Sequence, residues 1–81
     1  MGLQRTAKLM TSTDYKERFQ AERTQVSLRL YGLRIMLGDW TYGQLDFEPK
    51  CPRELYERQE KAMQEYLDVL EERAQLEGID L

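Results

Sequence analysis

Apolar residues in the first half of the chain fall on helical steps. Tyr15, Phe19, Val26, Leu30, Leu33 and Leu37 form one narrow stripe at 100° per residue. The run Thr11-Ser12-Thr13-Asp14 just before it is rich in N-cap residues, and Asp14 and Glu17 suit the positive end of a helix dipole. Gly38 supplies a natural stop. The pattern predicts a helix over about 13–37. The same segment carries a second apolar strip, Ala21, Leu28, Tyr31 and Ile35, nearly opposite the first. One partner helix cannot cover both. Gly32, mid-helix, costs about 1 kcal/mol against alanine; it fits either simple tolerance or close approach of another backbone.

The second half repeats the helical pattern. Cys51-Pro52 opens it, with proline suited to the first helical position. Leu55, Ala62, Met63, Tyr66, Val69 and Leu70 form a stripe, and Gly78 ends it, which predicts a helix over about 52–77. Arg53, Arg58, Lys61 and many glutamates take the other sides, where i,i+4 pairs in water are their ordinary role. The connector 38–51, read with Pro52 as GDWTYGQLDFEPKCP, exceeds the roughly 2–8 residues that link most antiparallel helices. Leu45 and Phe47 are expected to plug the end of the small core. Trp40 and Tyr42 sit beside Asp39 and Gly43, in what reads as a mobile turn. If the connector has a functional part it is this half, an aromatic lid on a neighbour's pocket or a subunit contact; whether the two rings face their own chain or another stays open. The fold expected is all-α: an antiparallel two-helix hairpin with an aromatic-rich connector, assembling into an oligomeric helical bundle. Residues 11–81 form its one domain, after a poorly ordered arm at 1–10. Met1-Gly2 with Thr6 fits the loose N-myristoylation pattern, but an upstream extension ahead of Met10 is the preferred reading.

Composition narrows the chemistry. An 81-residue chain with one cysteine, Cys51, and no histidine has no internal disulfide framework and no usual zinc ligand set. No run approaches the ~18 apolar residues of a membrane span, so a soluble intracellular protein without a membrane partner is expected. Charge is uneven. Residues 1–37 hold seven Lys/Arg and three Asp/Glu, and residues 38–81 hold five and twelve. Opposite halves favour pairing with each other and argue against a duplex-DNA surface. They leave room for a small anion held by a few arginines. A hairpin this small, lacking disulfide and metal, points to oligomerisation. Two burying faces on the first helix suit a dimer of dimers, a tetramer.

Polar residues in the apolar stripes are the candidates for chemistry. Gln59, Tyr66 and Arg73 recur every seven residues in or beside the second stripe, and Met63 lies among them. Glu22 edges the first stripe, flanked by Arg18 and Arg29. An antiparallel hairpin brings Glu22 near Arg73. Two readings stay open. One is a Glu22–Arg73 pair that fixes register, with Tyr66 and Gln59 satisfying neighbours. The other is a pocket at a subunit interface. There Arg18, Arg29 or Arg73 meets phosphates, Tyr66 stacks on a base and Gln59 reads a base edge. No histidine base, glycine-rich phosphate loop or Ser/His/Asp set is present, so neither an enzyme nor a cofactor is expected. Cys51 beside a helix start has no partner base and reads as inert.

The segments DYKERFQAER and FEPKCPRELYERQEKAMQEYLDVLEERAQLEGIDL resemble a family of small helical phage proteins known by relation to a reading frame of crAss-like gut phages. The shared pattern falls on Glu17-Arg18, on Pro52 to Leu55, and on Gln59, Met63, Tyr66, Leu70 and Arg73. It covers nearly everything from Tyr15 onward, and TQVSLRLYGLRIML departs from it by being more apolar. The resemblance implies a phage-encoded, non-enzymatic sponge in the cytoplasm of the infected bacterial host. Such a sponge holds a nucleotide signal, such as a cyclic dinucleotide, between subunits and blunts CBASS- or Thoeris-type defence. A protein-binding inhibitor or adaptor, and a small structural protein of the particle, are the rival readings.

Overall fold

The computed structural model of the chain describes residues 14–81; the arm at 1–10 and the cap residues 11–13 lie outside the described residues. Two helices account for most of what is described: α1, Tyr15–Thr41, and α2, Arg53–Glu77. They pack antiparallel. Tyr15 meets Glu77, Arg23 meets Glu71, Arg34 meets Glu60 and Gln64, and Arg53 meets the end of α1 at Leu37 and Thr41. The architecture is the all-α hairpin expected.

Local signals explain the helix ends. Asp14 is the N-cap of α1, its carboxylate accepting from the Glu17 N–H at 3.1 Å. At the far end of α2, Gly78 adopts φ +70° and the Ile79 N–H reaches back to the Ala74 carbonyl at 2.8 Å. This closure places Ile79 against Ala74, in one buried cluster with Phe19 and Leu70. Ile79 is thus a core residue supplied by the tail beyond the helix. Leu30, Leu37 and Leu67 are buried too, with Val26, Leu33, Tyr56 and Met63 half-buried.

Gly38 does not stop α1. The helix runs on to Thr41, and Gly43 is the residue that ends it, at φ +67°. The Gly43 N–H bonds the Trp40 carbonyl and the Gln44 N–H bonds the Asp39 carbonyl at 2.7 Å. That 6→1 and 5→2 pair makes a Schellman closure. Arg53 holds the extra turn, donating to the Leu37 carbonyl and to the Thr41 hydroxyl at 2.9 Å. Trp40 therefore sits on the helix. Its ring meets Tyr56 edge-on at 5.9 Å, and Arg53 lies over it at 5.5 Å. Of the two residues expected to plug the core, Leu45 is half-buried but Phe47 is exposed, because the longer helix and the Trp40–Tyr56 contact already cover that end.

The stripe expected on α2 is also corrected. Leu67, Leu70 and Ala74 are buried, whereas Leu55, Ala62, Tyr66 and Val69 are exposed. The helix carries two heptad stripes side by side. Tyr56, Met63 and Leu70, with Glu60, Leu67 and Ala74, face α1. Gln59, Tyr66 and Arg73 lie along the open edge of that seam, with Arg73 reaching back to Tyr15 and Phe19 of α1, while Leu55, Ala62, Val69 and Leu76 face away. On α1, Leu28, Tyr31 and Ile35 of the second strip stay exposed, and Ala21 is buried.

Candidate functional site

Helical phase divides the hairpin into two faces. One is zipped shut by side chains: Arg23 to Glu71 at 3.0 Å, Arg34 to Glu60 at 2.9 Å and to Gln64 at 2.8 Å, and Gln64 on to Asp68. The opposite face is clasped only at its ends. At one end Trp40, Tyr56 and Arg53 form the cluster described above. At the other, Tyr15 donates to Glu77 at 2.6 Å and accepts from Arg73 at 2.9 Å, while Arg73 donates to Glu77 at 3.1 Å. The Arg73 guanidinium also lies 5.0 Å from the centre of the Phe19 ring.

Between these clasps lie Glu22, Val26, Arg29 and Leu33 of α1 and Gln59, Met63 and Tyr66 of α2, all on the same face. In the antiparallel register Arg29 stands level with Tyr66. Glu22 and Met63 are half-buried; Arg29, Gln59 and Tyr66 are exposed, Tyr66 by 41%. Gln59 makes one long contact, Nε2 to the Met63 sulfur at 3.9 Å, which leaves its carbonyl open. The stretch thus offers a guanidinium fork, an aromatic ring and an amide within one open trough. Arg18 lies on the same side of α1, toward the Tyr15 clasp. These groups can grip an anionic oxygen and cover a flat ring at once. They offer no nucleophile or base poised by a neighbour.

The expected Glu22–Arg73 pair does not form. Arg73 turns to Glu77, one helical turn away, and to Tyr15. An i,i+4 partner on the same helix needs no ordering of a second helix, so it wins over a partner across the groove. The clasp shifts proton affinities. The Tyr15 hydrogen bond, with Arg73, holds the Glu77 carboxyl below its usual range. The same hydrogen bond to Glu77 raises the Tyr15 phenol. Glu77 also raises Arg73. Arg73 is therefore committed to contacts within the hairpin.

Of the other expected site residues, Trp40 is committed to its own chain, and Tyr42, just past the helix, is 79% exposed. Sequence reasoning missed Arg23, whose Nε is buried without a partner beside a small hollow lined by Gln20, Thr24, Asp80 and Leu81. Its signal was position: Arg23 falls in phase with the seam rather than with the wet side. An open hollow of about 580 Å³ on the outer side of α2 is lined by Leu55, Arg58, Gln59, Lys61, Ala62 and Glu65, and of the expected site residues it includes Gln59. Among the described residues there is no group of acidic or thiol side chains that could hold a metal ion, and no helix is long and apolar enough to cross a membrane.

A family model described as Sequestin matches residues 13–76, a span that holds α1, the connector, α2 up to Leu76 and the whole trough. No curated protein and no solved structure matches the chain.

Proposed function

The chain belongs to the Sequestin family, and from that premise we propose that it is a binding protein that sequesters a small nucleotide signal without cleaving it. The family name is compatible with a sequestering function. The observation that carries the finer reading is the open trough between the two clasps, where Arg29 stands level with the exposed ring of Tyr66 and Gln59 lies on the same face two turns along α2. A guanidinium suits a phosphate, an aromatic face suits any base, and an amide can read one base edge. One hairpin leaves this trough open to water, so the ligand is held between subunits of a homo-oligomer, a tetramer in this reading. Arg18 and Arg73 stand at its margin toward Tyr15, and Tyr42 would have to reach a neighbouring subunit's trough. The resemblance to small phage proteins supports a phage origin and a role in the infected bacterial cytoplasm, evading CBASS-type defence by depleting its cyclic-nucleotide messenger.

Titration calorimetry with cyclic dinucleotides, cyclic trinucleotides and ADP-ribose signals tests the reading. Saturable heat with one class, and recovery of the intact nucleotide on heating the complex, is the result expected. No heat with any class would sink it. The acidic character of α2, with eight Asp/Glu against four Lys/Arg, favours one rival, an inhibitor or adaptor that docks this helix on a basic host protein. A stoichiometric protein partner in a host-lysate pull-down, with no small molecule retained, is what that rival requires.

A further inference from the structure

The outer stripe of α2 is a second heptad seam whose apolar members stand exposed on the hairpin. Leu55, Ala62, Val69 and Leu76 recur every seven residues, interleaved with Gln59, Tyr66 and Arg73. Apart from Ala62 its hydrophobic members are large, and all are exposed. Such a seam asks for a helix, and the charges beside it say which. Arg58, Glu65 and Glu72 run along one edge of the stripe at the same spacing. All three are exposed, and none makes an ion pair or hydrogen bond within the hairpin.

We infer that two copies of the chain pair through this seam, α2 against α2 of a second copy, antiparallel about a two-fold axis near Glu65. Three alignments keep apolar residues facing along the seam. The one that sets Tyr66 over the second copy's Ala62 also brings Gln59 to Val69 and Leu55 to the stem of Arg73. It places Arg58 beside the second copy's Glu72, and the two-fold axis makes that pair twice. Sliding by a heptad one way sets Glu65 against Glu72 twice. Sliding the other way pairs Arg58 with Glu65 twice, but it leaves Val69 opposite Pro52 and carries Leu76, which overhangs the partner helix already, further out. Size agrees with charge, because the small side chain of Ala62 lies in the open hollow beside Leu55, where the second copy's Tyr66 ring finds room. Glu65 meets its own copy on the axis, the one like-charge contact in this alignment. The pairing is argued independently of the nucleotide reading, and it draws on Tyr66 and Gln59, the ring and amide that reading assigns to the ligand, so ligand and second copy meet at the same edge of the trough.

The test is a charge swap read by sedimentation equilibrium on the full chain, with circular dichroism on each variant. R58E and E72R should each weaken the pair about tenfold, since each turns two favourable contacts into two repulsive ones. R58E/E72R should return it to within about threefold of the parent. E65Q, which removes the repulsion on the axis, should tighten it. A monomer at all micromolar concentrations, a parent assembly indifferent to both single changes, or a double variant no better than either single one would overturn the proposal.

Discussion

Arg73 is fixed at three points, by the Glu77 carboxylate, the Tyr15 hydroxyl and the face of Phe19. The clasp joins the first turn of α1 to the last turn of α2. Because the folded-state Glu77 value lies below its ordinary one, the clasp's contribution is full above the ordinary carboxylate range. It is lost as pH falls through the folded value. Tyr15 is raised, so its part is full below the ordinary phenol range and lost as pH rises through the folded value. Thermal melts from pH 3 to 11 should show stability falling off on both sides of neutrality, and E77Q should flatten both limbs. A parent and an E77Q variant with parallel curves would contradict this account. Arg29 is the opposite kind of residue, exposed and tied to no partner within the hairpin. Arg29→Ala should leave the melting temperature unchanged and weaken nucleotide binding by about ten- to a hundredfold, as expected for losing hydrogen bonds to a charged group. Equal loss of stability and binding would mean that Arg29 serves the fold.

Two glycines, one in the middle of α1 and one just past its end, differ in what they permit. Gly43 has φ +67°, so Gly43→Ala strains the closure and should cost about 1 kcal/mol or more. Gly32 is helical and a Cβ there meets nothing within 4 Å, so Gly32→Ala should stabilise by about 0.5–1 kcal/mol. Denaturant melts of both variants check the pair of signs. The same contrast shows what could be read from the chain alone. The Asp14 cap and the Gly78 stop were legible because each is a local signal that tertiary contacts only reinforce. Gly38 misled because a helix tolerates a glycine when Arg53, Thr41 and Trp40 hold the turn beyond it, and those contacts come from distant residues. Which side of α2 faces α1 was not legible. Both heptad stripes are apolar, and only the pairing of Arg23 with Glu71 and Arg34 with Glu60 selects between them. Helical phase alone sets Glu22, Arg29, Gln59, Met63 and Tyr66 on one face, but Gln59, Tyr66 and Arg73, expected in or beside the apolar stripe, are exposed. The Glu22–Arg73 pair could not be refused from spacing, because Glu77 competes for the same guanidinium.

At the scale of the whole molecule, little apolar surface is fully enclosed. Leu30 and Leu70 are the largest side chains buried to 2% or less, while Tyr31 at 66% and Leu76 at 89% exposure stand in the water with Leu28, Ile35, Leu55 and Val69. A single hairpin therefore leaves unburied much of the area that would offset the entropy of ordering it. Leu70→Ala, which removes a fully buried side chain from the cluster with Phe19, Ala74 and Ile79, should cost about 2–5 kcal/mol and leave no folded hairpin at micromolar concentration. If copies supply the missing burial, folding and assembly are one equilibrium, and mass action sets its midpoint. Scanning calorimetry over a hundredfold range of protein concentration should then show the melting temperature climbing with each step. R58E should melt lower at every concentration, and the double swap should rejoin the parent curve. A melting temperature independent of concentration would mean that the small cluster around Phe19, Leu70, Ala74 and Ile79, together with the polar zipper and the two clasps, holds the hairpin as a monomer. In that event the exposed stripes would be left free for a ligand or for another protein.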